Sequence, residues 1–316
     1  MENSRPFELP DHLKPKFERA KKLEWITIAY LISVIIIMYL VMGSSQAMKT
    51  AWLEDALSSL PSIAFLIASG IFYKKPNAKF PYGYHRVFSI AFLAGSVALF
   101  AMGGFLLVDS SISLIKEEHP TIESIFLFDR QIWLGWLMLI ALVYSALPAM
   151  LLGYKKLPIA KELHNKILFT DADTQKADYM TAFAAMLGIL GVGLGFWWAD
   201  ALAAIFISFS VLRDGYKNLK NAIKDLMDRH PVTVEREKKD ALVGEIENHV
   251  KSWDWVKDAR ARFREHGQVY FGEIMVIPQD NVNLPNCIEN GVKNLNDFHW
   301  KIYDVTIMPV EKFPET

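Results

Sequence analysis

The nine residues TDADTQKAD (170–178) hold three aspartates, two threonines and a lysine, and they lead directly into the almost wholly apolar stretch YMTAFAAMLGILGVGLGFWW. On a helix, Asp171, Thr174 and Asp178 stand at i, i+3 and i+7 and share one face. AWLEDALSSLPS (51–62) supplies Asp55, Ser58 and Ser62 at the same spacing. If these segments are antiparallel membrane spans that pack together, Ser58 and Ser62 meet Thr174 and Asp178 near mid-membrane. Asp55 then lies toward the outer end and Asp171 toward the inner. The chemistry of such a row is cation handling, because hydroxyl and carboxylate oxygens suit hard cations. A carboxylate near the bilayer centre costs at least ~2.5 kcal/mol, so it marks a functional site by default.

Plainer readings stand beside that one. Asp171 and Asp173 can lie in the headgroup region, capping the helix and favoured by its dipole. Ser58 and Ser62 are small enough to serve only close helix packing in lipid. Lys176 either pairs with Asp173 or a neighbour, or extends to the membrane surface. Asp178, about two turns deeper, is the hardest to explain without a function.

The elements that must carry these residues follow from hydropathy. A helix crossing ~30 Å of hydrocarbon needs about 20 apolar residues. Segments near 24–43, 51–73, 87–115, 132–154, 169–197 and 200–219 qualify. Six spans put both termini on one side. The loops KPKFERAKK, YKKPNAK, GYKKLPIAKELHNK and RDGYKNLKNAIK are basic, whereas GSSQAMK, KEEHPTIESIFLFDRQ and WWAD are not. The positive-inside rule therefore makes both termini cytoplasmic. Across all 316 residues, 34 basic side chains face 35 acidic ones, so net charge gives no reason to expect a nucleic-acid partner. Cys287 is the single cysteine, which excludes a disulfide framework and a thiolate metal cluster. The polar start implies no cleavable signal peptide.

Beyond the sixth segment the charges concentrate, which indicates a soluble domain. TVEREKKDALVGEIENHVKSW has helical periodicity, VKDARARF and VYFGEIMVI read as strands, LPNCIENGVKNLNDF as a helix and WKIYDVTIM as a last strand. The expected fold class is thus a six-helix transmembrane bundle followed by a cytoplasmic α+β domain of α-β-β-α-β, ferredoxin-like order. The expected divisions are a cytoplasmic segment over 1–22, the membrane domain over 23–228 and the tail over 229–316.

Six spans, this tail, PYGYHR after the second span, WWADALAAIFISF opening the sixth and LMDRHP leaving it resemble the cation diffusion facilitators, a family of dimeric exporters that exchange a divalent metal for protons. The resemblance covers nearly the whole chain from about residue 20. It implies a transport site of four side chains, two on the second span and two on the fifth. Those positions fall here on Ser58, Ser62, Thr174 and Asp178. Only one of the four is a usual ligand. Three hydroxyls and a carboxylate would make a poor zinc site, so Mg²⁺, Mn²⁺, Fe²⁺ or Ca²⁺ is expected as cargo, with no permanently bound cofactor. Glu54, Asp55 and Asp171 would restore charge if the site has slid by about a turn. Accessory metal positions hold Phe80, Tyr84, Asp258, Met275, Met308 and Val310, leaving His85 nearby. His230, His249, His266 and His299 read as surface histidines. Arg86 and Asp228 match an interlocking charge pair near the dimer interface, and the implied partner is a second copy, through both membrane and tail domains. Asp109 and Asp200 read as interfacial or structural.

The expected function is export of a divalent cation in exchange for protons, in the lipid bilayer of a bacterial inner membrane. The rivals are a transport-inactive homologue acting as a dimerising or regulatory partner, and a carrier of a monovalent or organic cation. No nucleophile-base pair, phosphate loop or hydrolase motif suggests an enzyme.

Overall fold

The computed structural model describes residues 7–127, 130–280 and 283–314; Phe128 and Asp129 in the loop KEEHPTIESIFLFDRQ, and residues 1–6 of the N-terminal segment, lie outside it. The chain begins with α1 (Lys14–Val41), α2 (Gln46–Leu57), α3 (Ser59–Phe72) and α4 (Val87–Ile115). A short antiparallel hairpin, β1 (Ser124–Leu127) and β2 (Arg130–Trp133), precedes α5 (Leu134–Glu162), α6 (Lys166–Gly193) and α7 (Trp198–Leu226). The tail follows as α8 (Leu242–Lys251), β3 (Val256–His266), β4 (Val269–Pro278), α9 (Leu284–Phe298) and β5 (Ile302–Pro309).

Among the described residues four helical segments are long and apolar enough to cross a bilayer: α1, the α2–α3 pair, α4 and α5. The α6 and α7 helices match them in length, at 28 and 29 residues. Their charge sets them apart: α6 opens with Asp171, Asp173, Lys176 and Asp178, and α7 ends in RDGYKNLKNAIKDL. α7 lies along α4, and α6 packs between α5 and α7. Burial is inverted relative to a water-soluble bundle. Ile36, Leu40, Ile67, Phe105, Leu151 and Phe206 face outward, while Glu24, Asp55, Ser62, Lys156, Asp171 and Asp178 are buried. Apolar side chains belong in lipid, and polar ones need partners inside.

The second expected span is not one straight rod. It breaks at Ser58, between α2 and α3. Pro61 lies four residues after Leu57, has no N–H for that carbonyl and crowds it with its ring, which bends a helix at this place. The expected ends of the first, fourth and sixth spans also shift, because α1 starts at Lys14, α5 runs on to Glu162 and α7 to Leu226. The extra eight residues of α5 convert Lys156 from an expected loop charge into a buried helix residue.

Tight helix contacts depend on small residues. A Cβ at Gly153 of α5 would stand 2.6 Å from the Ala172 carbonyl oxygen and 2.8 Å from the Lys176 nitrogen of α6. Gly153→Val is therefore expected to force α5 and α6 apart. Overpacking of this kind costs about 1–3 kcal/mol, and a lower melting temperature in detergent is the measurement that checks it.

In the tail, β3 and β4 pair antiparallel and β4 pairs parallel with β5, giving the order β3-β4-β5. Leu242, Ile246, Phe263, Tyr270, Ile274 and Leu295 form its core. The helix expected from Thr233 begins only at Leu242. The preceding residues form turns, Arg236 has φ of +62° and the Asp240 carboxylate accepts from the Leu242 N–H at 3.0 Å. The tight turn between β3 and β4 reaches the bundle, where Val269 and Phe271 join a cluster with Phe65, Phe72, Phe88 and Leu163.

Candidate cation path and its junction with the tail

α5 ends and α6 begins within three residues. His164 takes φ of +48°, the left-handed turn that closes a helix, and the Asn165 side chain accepts from the Leu168 N–H at 2.9 Å, capping the next one. This corner fixes the depth of every polar residue on α6. Asp171 is five residues in, about 8 Å along the axis, and Asp178 twelve, about 18 Å.

The shallower level is a closed ionic group. The Lys156 ammonium donates to Glu24 Oε2 at 2.9 Å and to Asp171 Oδ2 at 2.5 Å. Ser62 and Gln175 donate to Asp171 Oδ1 at 3.2 Å and 3.1 Å. All five side chains are at most 1% exposed. Asp171 is thus buried in protein and ion-paired, and the cap of α6 is Asn165 rather than Asp171. Gln175 is set on the Asp171 face by the i+4 spacing of α6.

The deeper level is different. Asp55 and Asp178 are each 7% exposed and within electrostatic reach of one another, with Glu54 close to both. Asp55 accepts from Ser145 Oγ at 2.8 Å, and Thr181 donates to the Asp178 carbonyl at 2.9 Å. Among the described residues, no basic side chain is within ion-pair distance of these three carboxylates. Lys176 takes the first of its two sequence readings, pairing with Asp173 at 3.0 Å on the half-exposed side of the helix.

The residues expected to form one site are therefore distributed. Ser62 engages Asp171, and Ser58 and Thr174 line a crevice of about 40 Å³ with Asn218. Asp178 sits with Asp55. No hydrogen bond joins Ser58, Ser62, Thr174 and Asp178 to one another, and among the described residues no three His, Cys, Asp or Glu side chains converge as a ready-made metal centre. Sequence reasoning missed Glu24, Ser145, Lys156, Gln175 and Thr181. Glu24 at the edge of an apolar run was the available signal, since a carboxylate there needs a partner.

At the far end of the bundle Asp200 has a structural task. It accepts from Ser45 Oγ at 2.6 Å and from the Gln46 and Ala47 N–H groups at 2.5 Å and 3.3 Å, which stabilises the start of α2. Asp109 pairs with Lys49 at 2.8 Å.

At the tail end, the Arg86 guanidinium meets Asp228 Oδ1 at 2.6 Å and the Leu226 carbonyl at 3.3 Å. Asp228 adopts φ of +57° just past α7, which turns its carboxylate toward Arg86. His266 is not a surface histidine. It is buried against Phe271, with its Nε2 2.8 Å from the same guanidinium. Gln268 donates to the Leu163 carbonyl at 2.7 Å, and Glu265 pairs with Lys166 at 2.7 Å. A Cβ on Gly267, whose φ is +69°, would stand 2.6 Å from the His85 carbonyl. The β3–β4 turn is thus seated between the α3–α4 loop and the α5–α6 corner.

This junction titrates. Burial, and for His266 also the Arg86 guanidinium, holds the His85 and His266 rings down at about 4, against an ordinary value of 6.5. Burial pushes the Glu265 carboxyl up, but Lys166 and His164 outweigh it and hold it at about 2. Between pH 6.5 and 4 the unfolded chain takes up protons that the folded rings refuse, so stability falls as pH falls through that window. Glu265 adds a further loss only below about 4.5, its ordinary value. Thermal melts from pH 7 to pH 5 are expected to show a falling midpoint, with a shallower slope in His266→Gln.

Comparison with known proteins agrees with the apolar helices. The profile of the cation efflux transmembrane domain matches residues 24–227. The manganese efflux system protein MneP of Bacillus subtilis is 24% identical over 241 residues, which is 71% of this chain and 72% of that one. MneS of the same organism is 24% identical over 184 residues, covering 58% and 59%. The magnetosome protein MamM of Paramagnetospirillum magneticum is 28% identical over 188 residues, covering 59% and 55%. The matched region spans little more than half the length of MneS and MamM.

Proposed function

The chain belongs to the cation efflux family, and from that premise we propose that it is a secondary transporter exporting a divalent metal cation in exchange for protons. The observation that carries this reading is the pair of buried carboxylates Asp55 and Asp178, with the half-buried Glu54 beside them, without a basic partner within ion-pair distance among the described residues. Unpaired buried charge is costly enough that it must be neutralised by protons or by a visiting cation. One carboxylate set that accepts either species, but not both together, is the simplest basis for exchange.

In this reading α6 and α7 are the fifth and sixth spans, both termini are cytoplasmic and the host is a bacterial inner membrane. The tail is a ferredoxin-like domain from about residue 229, and two copies pair through membrane and tail regions. The cation passes Asp171, is held by Asp178 and Asp55 with hydroxyl and water oxygens, and leaves on the far side as the helices rock. Thr174, Ser58 and Ser62 line the route rather than closing a tetrahedral shell. Oxygen ligands favour Mn²⁺, Mg²⁺, Fe²⁺ or Ca²⁺ over Zn²⁺. Manganese leads, because MneP and MneS are manganese efflux proteins by name.

A second reading, a transport-inactive partner, is favoured by the hydroxyls at three of the four family ligand positions, Ser58, Ser62 and Thr174. The two are separated by flux. Proteoliposomes loaded with a metal-sensitive dye are expected to take up manganese faster than zinc, with a rate that responds to an imposed pH gradient. Absence of flux for every cation in the panel would support the inactive partner.

A further inference from the structure

The shallower ionic group has the composition of a cation site with a cation already in it. Glu24 and Asp171 face one positive centre from two helices, α1 and α6, at 2.9 Å and 2.5 Å. Ser62 Oγ lies on the same cluster, and two further buried oxygens, Glu24 Oε1 and Gln175 Oε1, have no hydrogen-bond partner. Those orphaned acceptors are what a metal ion or its water would use, and a single ammonium with three N–H groups does not reach them. By formal count the group holds two carboxylates against one ammonium, in a setting at most 1% exposed. Lys156 is also the only member on α5, a helix held against α6 by the close contact at Gly153. Its position is therefore set by α5, whereas the oxygens belong to α1, α3 and α6.

We infer that Lys156 is a tethered stand-in for the transported cation: its ammonium occupies a second divalent-metal site formed by Glu24, Asp171, Ser62 and Gln175, between the tail-facing end of the bundle and Asp178. An arriving divalent ion takes this site only by displacing the ammonium. The site is thereby closed to metal in the conformation described and opened when α5 shifts relative to α6. The choice of ion is sharpened as well, because by that formal count only a cation bringing more charge than the ammonium matches both carboxylates. The inference rests on the transporter reading for the ion's destination, but the occupancy of the site does not depend on flux.

The test is a binding count. Purified full-length protein in detergent, titrated with manganese by equilibrium dialysis, is compared with K156M and with E24Q/K156M, which keeps the formal charge of the group unchanged. K156M is expected to bind one manganese per chain more than the parent, and K156M/D171N to lose that extra ion. If K156M does not yield folded protein, E24Q/K156M carries the decision: an extra, weaker manganese supports the stand-in role. Folded variants that bind no more than the parent overturn it. A parent protein that binds manganese but moves none would sink the transporter reading and leave the binding count to decide the role of Lys156.

Discussion

Asp178→Asn is expected to reduce metal flux in proteoliposomes to the protein-free background while raising the melting temperature. The side chain is nearly isosteric, so the helix contacts around it persist. What disappears is a buried charge in a region where Asp55 and Glu54 already contribute negative charge and, among the described residues, no basic side chain pairs with them. Removing an uncompensated buried charge stabilises the resting fold. A residue kept for structure alone would do the opposite on losing its carboxylate. The paired readout is therefore diagnostic. Lost flux with gained stability identifies a functional carboxylate, whereas retained flux removes Asp178 from the path. A scaffold with no transport role would tolerate Asn and show the same flux, none, before and after.

Lys156→Met is expected to have the largest effect on stability of any substitution in the bundle, and in the opposite direction. It leaves Glu24 and Asp171 facing each other at full burial. Breaking a buried ion pair from one side costs about 3–5 kcal/mol. Adding Glu24→Gln to the same chain should recover most of that loss, because one of the two stranded carboxylates is then neutral. Detergent unfolding of the two single variants and the double variant closes the cycle. Near-additive losses would show that Glu24 and Lys156 are not coupled. Manganese added to Lys156→Met should itself restore stability, since anything that binds only the folded state shifts the equilibrium toward it.

Much of the architecture is legible in the residues, and the parts that are not have identifiable causes. The tail reads well because VKDARARF and VYFGEIMVI carry strand composition and LPNCIENGVKNLNDF carries helical spacing. Local pattern and tertiary packing agree there. The apolar runs that form α1, α4 and α5 read equally well, and α4 ends where expected, but the ends of α1 and α5 do not. Lys156 shows why. Its neighbour Lys155 is exposed, as a lysine near a span end should be, while one residue further round the helix Lys156 is sequestered. Hydropathy has no way to separate two adjacent lysines whose fates are set by partners on α1 and α6. His266 is missed for a related reason: it lies in a strand whose turn is covered by the bundle, a contact formed between regions distant in sequence. The break at Ser58, by contrast, is written in the chain through Pro61. The spacing argument that placed Ser58, Ser62, Thr174 and Asp178 together assumed a straight second span, and the bend sends Ser62 to Asp171 instead.

The seating of the β3–β4 turn has a consequence for how the molecule must work. Its residues grip the α3–α4 loop through Gly267 and Arg86, and the α5–α6 corner through Gln268 and Glu265. Any stroke that slides one of those helix pairs past the other either carries the tail along or tears it loose. The turn is thus a keystone shared by two walls of the bundle. On the transporter reading proposed above, an antibody fragment that binds this turn more tightly in one arrangement of the walls is expected to slow exchange, and a cation that favours the same arrangement is expected to raise the fragment's affinity by the factor by which the fragment raises the cation's.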